Sequence, residues 1–459
     1  NGQPAESVPA KNPAGDVIGT YTLKVVDGKA TAVFTPTDKT YAGEVKPATI
    51  QAKDTNGTPV TTTYTPNITP VEPTGTPTTS EGAQGQPQEG TPTFTQGDDK
   101  VPMKIDAEQP AKLIDPATGN PTDETTIPAK SPDGKVIGTY TLGPKNGEIT
   151  FTPTDKTYVG PVVPVKVQRV DINGTPTPKP AEYTPLIVGV KPTATPAEST
   201  NIQGEVQTGV VAFAPGKATI SGTEKSVAIK AGSAKLVNAD GSVPTEATVP
   251  AYAVDGVTKV GTYSIDPATG EVTFTPTDKS YTGKVLPAEV QGEDTNGTKV
   301  STTYTPSIIP AQPTAEPVKT VDVQGATQTG KPVFQGGTAM VNGEEKTVEI
   351  DETVKPTFDD GTTEKKVPGE GTYTIDEAGK VTFTPEPEFV GRATGVTVKR
   401  VDKNGTPITA KYIPTVRPNT SFVDTKGNIL APSEDGSQPK KDILGYKIVE
   451  TKVDEKGNV

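Results

Sequence analysis

The sequence contains no cysteine, no histidine and no tryptophan in 459 residues. Without cysteine, the chain forms no disulfide bond and offers no thiolate as a metal ligand or nucleophile. Without histidine, it lacks the side chain that most often serves as a general base near neutral pH and as a metal ligand. The side chains on which many enzymes and metal sites depend are therefore missing.

Long apolar stretches and basic runs are missing as well. No stretch is long enough for a signal peptide or a membrane span, so we expect no spanning segment in these residues. The 44 basic and 56 acidic residues give a net charge of −12 and are spread along the chain. This pattern argues against nucleic acid as a partner. The chain begins at residues 1–4 part-way into a repeated pattern and ends at Val459 without a recognisable ending, so we interpret it as a piece of a longer protein.

The composition is poor in apolar residues and rich in chain-breaking ones. Only 31% of the residues are hydrophobic, and there are 48 prolines and 47 glycines. Such values approach those of disordered chains. The apolar residues nevertheless fall into short alternating runs at the same place in each repeat, which is typical of half-buried strands. We therefore predict small β-sheets that each bury a small core.

One stretch, VTFTPTDKSYTG at residues 272–283, recurs along the chain and organises it. The other copies lie at residues 32–43, 149–160 and 381–391, and the last has EPEF in place of TDKTY. The copies are spaced by roughly 110 to 120 residues, which matches a whole domain and is too long for a solenoid unit. The length also predicts about three to four domains.

Within each repeat, alternating runs predict antiparallel strands. Every second residue of the repeated stretch is apolar and is predicted to face inward: Ala32, Phe34, Ile149, Phe151, Val272, Phe274, Val381 and Phe383. An upstream GTYT-like strand and a Gly-containing turn predict a hairpin with this strand, which proline then ends. The aromatic residue of the following Tyr-x-Gly is predicted to close the core by packing, because Phe389 replaces tyrosine in the last copy.

The next strand of each repeat ends in Asp-x-Asn-Gly-Thr, starting at Asp54, Asp171, Asp294 and Asp402. We interpret Asn-Gly as a hairpin turn, because both residues accept positive φ. The returning strand ends at Tyr-Thr-Pro or Tyr-Ile-Pro, where the repeat ends.

Proline-rich segments follow at residues 67–77, 186–196, 307–317 and 415–420. We predict semi-rigid polyproline II linkers that hold the repeats apart. After each of the first three linkers comes a looser part, marked by glycines at residues 82–90, 204–209 and 325–330. It leads to Phe94, Phe213 and Phe334, where we predict a first strand.

The predicted fold is therefore all-β, with tandem small β-sandwich modules of the immunoglobulin or cadherin type joined by Pro-rich linkers. The modules, which we name first to fourth repeat and tail, comprise residues 1–66 (incomplete), 67–188, 189–309, 310–417 and 418–459 (truncated).

The ordered set of Gly-Thr-Tyr-Thr, Val-Thr-Phe-Thr-Pro, Tyr-x-Gly, Asp-x-Asn-Gly-Thr and Tyr-Thr-Pro resembles the CshA-type fibril repeats of streptococcal cell-surface adhesins, across about residues 1–417. The tail is similar to the segment that often precedes the sorting signal of such proteins. The resemblance implies a secreted fibril of a Gram-positive bacterium, anchored to cell-wall peptidoglycan, with a separate N-terminal binding region absent from this chain. Bacterial cadherin-like repeats are the second fold resemblance.

The function that this resemblance implies is a structural stalk that projects a distal adhesive domain for host or interbacterial adhesion, and hence virulence. The alternative is that the repeats themselves bind a ligand, which would require an exposed aromatic or apolar patch. A third reading is that the repeats are marginally folded and act as a flexible tether. The expected partners are neighbouring repeats of the same chain and a host or bacterial ligand of the missing head, with lateral fibril association left open.

Three candidate chemistries compete with a purely structural role. Asp-x-Asn-Gly could belong to a calcium site, but the further oxygen ligands of a calcium loop do not follow it. A Lys–Asn amide staple would need core lysines, whereas the recurring Lys39, Lys156 and Lys279 lie in turns or face outward. Lys166 also faces outward and does not recur in the other repeats. Paired carboxylates for glycoside hydrolysis would involve Asp38, Asp155 and Asp278, which Glu386 replaces in the fourth repeat. We therefore predict no enzyme, no catalytic or metal-binding residues and no cofactor.

Overall fold

The computed structural model describes residues 5–97, 104–144, 147–238, 240–436, 441–455 and 457–459. The start of the first repeat, at residues 1–4, lies outside them. The described residues form strands and turns, with no helix among them. The strands before residue 69 are β1 (Ser7–Lys11), β2 (Val17–Val26), β3 (Lys29–Pro36), β4 (Gly43–Glu44), β5 (Ala48–Lys53), β6 (Pro59–Tyr64) and β7 (Asn67–Ile68).

The second and third repeats contain most of the remaining strands. Those of the second repeat are β8 (Thr74–Thr76), β9 (Thr78–Ala83), β10 (Gln88–Gly90), β11 (Thr93–Thr95), β12 (Lys112–Ile114), β13 (Pro121–Thr122), β14 (Thr126–Lys130), β15 (Val136–Leu142), β16 (Ile149–Pro153), β17 (Gly160–Pro161), β18 (Val165–Gln168) and β19 (Ala181–Val188). Those of the third are β20 (Thr193–Thr195), β21 (Ala197–Ile202), β22 (Gln207–Val210), β23 (Ala212–Ala214), β24 (Gly216–Ile220), β25 (Thr223–Val227), β26 (Lys235–Val237), β27 (Thr248–Tyr252), β28 (Lys259–Ile265), β29 (Glu271–Pro276), β30 (Ala288–Glu293) and β31 (Lys299–Ile309).

The fourth repeat and the tail complete the set. The strands of the fourth repeat are β32 (Thr314–Glu316), β33 (Val318–Val323), β34 (Gln328–Gly330), β35 (Val333–Gln335), β36 (Gly337–Val341), β37 (Glu344–Val348), β38 (Thr357–Phe358), β39 (Glu364–Val367), β40 (Gly371–Ile375), β41 (Val381–Pro385), β42 (Gly391–Arg392), β43 (Val396–Val401) and β44 (Pro407–Arg417). The tail contributes β45 (Asn419–Val423) and β46 (Ile429–Asp435).

The chain divides into two compact units. Unit one contains Asn1–Thr193, Ala214–Lys230 and Glu293–Val300. Unit two contains Ala194–Phe213, Ala231–Gly292 and Ser301–Val459. The division cuts through the third repeat, because its β24–β25 hairpin and its Asn-Gly turn group with the second repeat.

In unit one, the second repeat has two sheets around one core. The first has the order β10-β16-β15-β14, and the second has β13-β12-β18-β19-β17 with β9 paired to β19. Leu113, Phe151, Val167 and Tyr183 are fully buried in this core. The first repeat forms the smaller sheets β1-β2-β3, β4-β7 and β5-β6, and its Phe34 is only partly buried.

In unit two, the same arrangement recurs. The third repeat has sheets β22-β29-β28-β27 and β21-β31-β30-β26, and the fourth has β34-β41-β40-β39 and β33-β44-β43-β38. Phe274 and Tyr304 lie in the core of the third repeat, and Phe383 and Tyr412 in that of the fourth. The prediction of an all-β chain of small sandwich-like repeats is confirmed.

The alternating pattern accounts for these cores. In β16, β29 and β41 the two apolar positions on either side of a threonine are buried and the threonine between them is half-buried. Each strand ends at its proline, as expected for a residue without a backbone donor. Because side chains alternate between the two faces of a strand, one period-two run is enough to supply one side of each core.

The segments predicted as polyproline spacers have a different structure. Residues 186–188 and 307–309 continue β19 and β31, and β8, β20 and β32 are short paired strands. Val190 and Ala311, in the same segments, are fully buried. These connections are therefore integrated into the sheets, and they do not act as open spacers.

The tail is a hairpin of β45 and β46 followed by turns. Lys441 lies over the ring of Phe422, 5.3 Å from its centroid. Leu444 is fully exposed, and Tyr446 is 58% exposed, whereas every other tyrosine and phenylalanine of the chain is buried or half-buried. The tail residues present here bury little apolar surface.

Candidate functional site

The last strand of each complete repeat pairs in parallel with the second strand of that repeat. β9 pairs with β19, β21 with β31 and β33 with β44, each over six residue pairs. We call each of these pairs a terminal-strand clamp. In the second repeat the pairs run from Thr78↔Tyr183 to Ala83↔Val188. In the third repeat they run from Ala197↔Tyr304 to Ile202↔Ile309.

The direction of the two strands decides how the clamp responds to tension. The chain enters each clamp at the start of its earlier strand and leaves the clamp at the end of its later strand. Since the strands are parallel, these two points lie at opposite ends of the pair. Tension along the chain therefore pulls the strands past each other, so the ladder hydrogen bonds are strained together and not one after another. This geometry resists extension more than an antiparallel hairpin that opens from one end.

Side chains cross-link the clamp of the second repeat. The Tyr183 and Ser80 hydroxyls lie 2.7 Å apart, and the Ser80 hydroxyl donates to Gln88 Oε1 at 2.6 Å. Gln88 Nε2 then donates to the Leu186 carbonyl at 3.0 Å. Gln88 is 6% exposed, so its hydrogen bonds connect β10 to both clamp strands in a largely dry environment, where they are stronger than in water.

The third repeat has the same network, and the fourth has an incomplete one. The Ser199 hydroxyl lies 2.7 Å from the Tyr304 hydroxyl and donates to Gln207 Oε1 at 2.8 Å. In the fourth repeat a threonine replaces the serine, and its hydroxyl lies 3.0 Å from that of Tyr412. Gln328 Nε2 donates to the Thr415 carbonyl at 3.0 Å, but its buried Oε1 has no partner.

The residue two positions after each network glutamine is a glycine, which leaves room for the ring of the clamp tyrosine. A Cβ on Gly90 would lie 2.3 Å from the Tyr183 ring, and one on Gly209 would lie 2.5 Å from the Tyr304 ring. Real Cβ atoms essentially never come this close, and both rings are fully buried. The Gln-x-Gly of the looser part is therefore a packing requirement of the clamp.

A second tyrosine connects the two sheets. Tyr140 packs on Phe151 with centroids 5.7 Å apart and meets Tyr183 edge-on at 6.1 Å. Its hydroxyl donates to the Val163 carbonyl at 2.7 Å. Burial, and to a smaller extent the neighbouring Tyr183, raises the pKa of Tyr140. Tyr263 has the same position in the third repeat, and burial raises its pKa as well.

The Asp-x-Asn-Gly sequences form turns, as predicted. In the third repeat, Asp294 Oδ1 accepts the amides of Asn296 at 2.9 Å and Thr298 at 2.8 Å. Gly297 has φ of 88°, whereas Asn296 is not among the described residues with positive φ. The turn therefore depends on the glycine and on the aspartate acceptor.

The aspartate of this turn is also buried. Asp171, Asp294 and Asp402 are at most 1% exposed, and the Oδ2 of each has no hydrogen-bond partner. In the described part of the chain, no group of three or more acidic side chains is arranged to hold a metal ion. The Oδ1 of each of these aspartates accepts two backbone amides of its own turn.

The other candidate residues lie at the surface and are not brought together. Hydrogen bonds from the Thr40 hydroxyl and amide lower the pKa of exposed Asp38. Asp155 forms a 2.6 Å ion pair with Lys135, which is the main cause of its lowered pKa. Lys39, Lys156 and Lys279 are exposed, and Lys166 lies 3.8 Å from Glu182.

The clamp was not predicted from the sequence. The part before Phe94, Phe213 and Phe334 was expected to be a loose entrance to the repeat. The signal was a serine or threonine eight positions before the glutamine of Gln-x-Gly, as in Ser80 and Gln88. It was overlooked because a parallel partner lies a whole repeat away in sequence and leaves no local turn signature.

The comparison with known families agrees with this arrangement of four similar repeats. The family described as the surface adhesin CshA repetitive domain matches residues 1–68, 70–187, 189–308 and 310–416. The chain belongs to this family. The SSSPR-51 domain family matches residues 418–459, the tail. As a chain of surface-adhesin repeats, it is an extracellular cell-surface protein.

Individual relatives cover smaller parts of these CshA repeats. A solved repeat domain 13 of the fibrillar adhesin CshA from Streptococcus gordonii is 68% identical, over 14% of this chain and 83% of that one, with a TM-score of 0.10. The muramidase-released protein of Streptococcus suis is 49% identical over 65 residues, 14% of this chain. The chain spans only 5% of the length of that protein.

A cadherin fragment is also similar. Mouse cadherin-23 EC22-24 is 12% identical over 75% of this chain and 98% of that one, with a TM-score of 0.27. Among the described residues, no helix is long and apolar enough to cross a membrane.

Proposed function

We propose that this chain is a non-enzymatic, tension-bearing stalk of a bacterial surface fibril that projects a distal adhesive domain for host or interbacterial adhesion. The observation that carries the proposal is the terminal-strand clamp, which is present in all three complete repeats. A stalk is pulled at its two ends, and each clamp places its paired strands so that such a pull shears them.

We propose residue boundaries for the stalk and its attachment to the cell wall. The repeats comprise residues 1–66, 67–188, 189–309 and 310–417, with the tail at 418–459. A repeat about ten strand residues long spans roughly 35 Å, so each adds about that reach. We further propose attachment to peptidoglycan of a Gram-positive cell wall beyond the tail. The same proposal assigns binding of a host or bacterial ligand to the distal adhesive domain, and it allows lateral association between fibrils.

The alternative, that the repeats themselves bind a ligand, has less support. Every tyrosine and phenylalanine of the four repeats is buried or half-buried. Exposed apolar residues are mostly valines scattered over the repeats, such as Val257 and Val210. Binding surfaces are usually centred on aromatic or arginine side chains.

The test compares reach with binding. The chain is displayed on a Gram-positive cell with its C-terminal end anchored and a peptide epitope at its N-terminal end. Adhesion of beads carrying an antibody to the epitope is measured, alongside versions that lack residues 67–188 or 189–309. The stalk predicts that either deletion lowers adhesion by a similar amount. Unchanged adhesion after both deletions, or capture of host cells by the repeats without the epitope, would contradict the proposal.

A further inference from the structure

Each clamp in the second and third repeats runs directly into a buried glutamine that is followed by glycine. Gln84 follows β9 and Gln203 follows β21, and both are 0% exposed. Their amides extend the clamps, because Gln84 N donates to the Val188 carbonyl at 2.9 Å and Gln203 N to the Ile309 carbonyl at 3.0 Å. Both glutamines lie near the start of their repeats in sequence. The parallel pairing nevertheless places them beside Val188 and Ile309, where the chain leaves one repeat for the next.

The glutamine side chains fix the outgoing chain. Gln84 Oε1 accepts the amide of Val190 at 3.2 Å, and Gln203 Oε1 accepts the amide of Ala311 at 3.0 Å. Val190 and Ala311 are both 0% exposed. A buried amide held by a buried side chain restricts the first residues after the repeat.

The same glutamine contacts the Asn-Gly-Thr turn of the following repeat. Asn296 Nδ2 of the third repeat donates to the Gln84 carbonyl at 2.9 Å. In return, Gln84 Nε2 donates to Thr298 Oγ1 at 2.7 Å. These bonds join residues more than 200 positions apart in sequence. They use the side chains of the turn and leave its own backbone bonds intact.

The same pair of hydrogen bonds joins the third repeat to the fourth. Asn404 Nδ2 donates to the Gln203 carbonyl at 2.9 Å, and Gln203 Nε2 donates to Thr406 Oγ1 at 3.3 Å. Close approach requires glycine after the glutamine, because a Cβ on Gly204 would lie 2.2 Å from Asn404 Oδ1. The corresponding distance from Gly85 to Asn296 Oδ1 is 2.3 Å.

An apolar contact completes each junction. Ile220 and Val227 of the β24–β25 hairpin pack with Ala83 and Val190, and all four are at most 5% exposed. The β36–β37 hairpin contributes the equivalent residues at the next junction, where the cluster is Ile202, Ala311, Val341 and Val348. Lys346 of β37 adds a 2.9 Å hydrogen bond to Asn201 Oδ1.

The chain also contains the two halves of the contact without a partner repeat. The turn of the first repeat has the same sequence, but its Asn56 is exposed, whereas Asn296 and Asn404 are half-buried. At the end of the fourth repeat, Gln324 is only half-buried and its Nε2 donates to the Pro387 carbonyl of its own repeat. A Cβ on Gly325 would meet nothing within 4 Å.

We infer that the Gln-Gly end of each CshA repeat is a docking socket whose partner is the Asn-Gly-Thr turn and first hairpin of the next repeat. The inference rests on the proposed stalk function and deepens it. Residues 214–230 and 293–300, which are the hairpin and turn of the third repeat, belong to the same compact unit as the second repeat. The asparagine of the turn serves the junction, and the buried aspartate and the glycine serve the turn itself. The socket fixes the orientation of the docked elements.

The test uses the complete chain, whose lack of cysteine allows two spin labels to be placed uniquely. Labels at Glu124→Cys and Thr223→Cys, both exposed, report the distance between the second repeat and the docked hairpin. Asn296→Asp replaces the donor to the Gln84 carbonyl by an acceptor, while its backbone amide still completes the turn. The matched control is Asn56→Asp in the first repeat.

We expect a single narrow distance distribution in the unchanged chain and in Asn56→Asp, and a broadened one in Asn296→Asp. Hydrogen exchange of the Val190 amide should become about fivefold faster, the factor for one lost hydrogen bond. An unchanged distribution and unchanged exchange in Asn296→Asp would overturn the socket, as would a broad distribution in the unchanged chain.

A second variant covers the case in which Asn296→Asp unfolds the third repeat, which loss of exchange protection in β28 and β29 would reveal. Thr298→Val removes one of the two acceptors of Gln84 Nε2, which also donates to the Thr157 carbonyl at 3.2 Å, and Thr58→Val is its control. Broadening in Thr298→Val alone supports the socket, and no difference between the two variants overturns it.

If the labels are mobile but bead adhesion still falls with each deleted repeat, the socket fails and the stalk stands. If adhesion does not depend on the repeats while the labels stay fixed, the stalk fails and the socket stands.

Discussion

Replacing the network glutamine should destabilise the third repeat more than the fourth. Gln207 accepts the Ser199 hydroxyl and donates to the Ser307 carbonyl at 3.1 Å, and both bonds are lost in Gln207→Ala. At about 1 kcal/mol for each bond, plus part of the cost of a buried group left without a partner, we expect a loss of about 2–4 kcal/mol. Gln328→Ala removes one such bond and also an oxygen that is already without a partner, so the expected loss is about 1–2 kcal/mol.

The assay is native-state hydrogen exchange of the whole chain, read separately in β21 and β31 and in β33 and β44. A multidomain chain does not unfold in one transition, so a single melting temperature would not assign the loss to a repeat. The difference of about 1–2 kcal/mol corresponds to roughly five- to thirtyfold in protection. Thr208→Ala, at the exposed neighbouring position, is the control. An equal or larger loss of protection in Gln328→Ala would refute the reasoning.

Three further outcomes follow from the cores and turns. Gly209→Ala should lower protection of the third repeat by about 1–3 kcal/mol because its Cβ meets the Tyr304 ring, whereas Val210→Ala, at an exposed site, should not. Burial raises the pKa of Tyr263, so its contribution to stability is complete below its unfolded pKa of about 10 and is lost as pH rises towards its folded pKa. Near-UV circular dichroism during an alkaline titration should therefore show stability falling above about pH 10, and no loss there would contradict this. Calcium should leave the thermal unfolding of the chain unchanged, and a higher transition temperature with calcium would show that the Asp294 turn binds it.

The sequence predicted the parts of the fold that depend on neighbouring residues. Alternation around Phe151, Phe274 and Phe383 identified the inward faces, because a strand has one period and one buried side. Proline at the end of each strand and glycine in each turn act on the local backbone, so their effects were also predictable. The all-β class and the repeated core followed from these features.

The terminal-strand clamp and the socket were not predicted, because their partners are separated by about a hundred to two hundred residues. The segment after Tyr183 looked like a linker, since its prolines favour extended structure with or without a partner strand. Asn296 looked like a turn residue only, because Asn-Gly is a strong local hairpin signal. Its second role depends on Gln84 in another repeat, and no local pattern indicates that pairing.

Stretching single molecules of the complete chain by its two ends tests the central claim most directly, because it applies tension where a stalk would receive it. We predict separate force peaks from the second, third and fourth repeats. Each should lengthen the chain by roughly 350 Å, the extended length of about 110 residues less the folded span. A smooth extension without such peaks would contradict the claim, since the chain would then behave as a flexible tether.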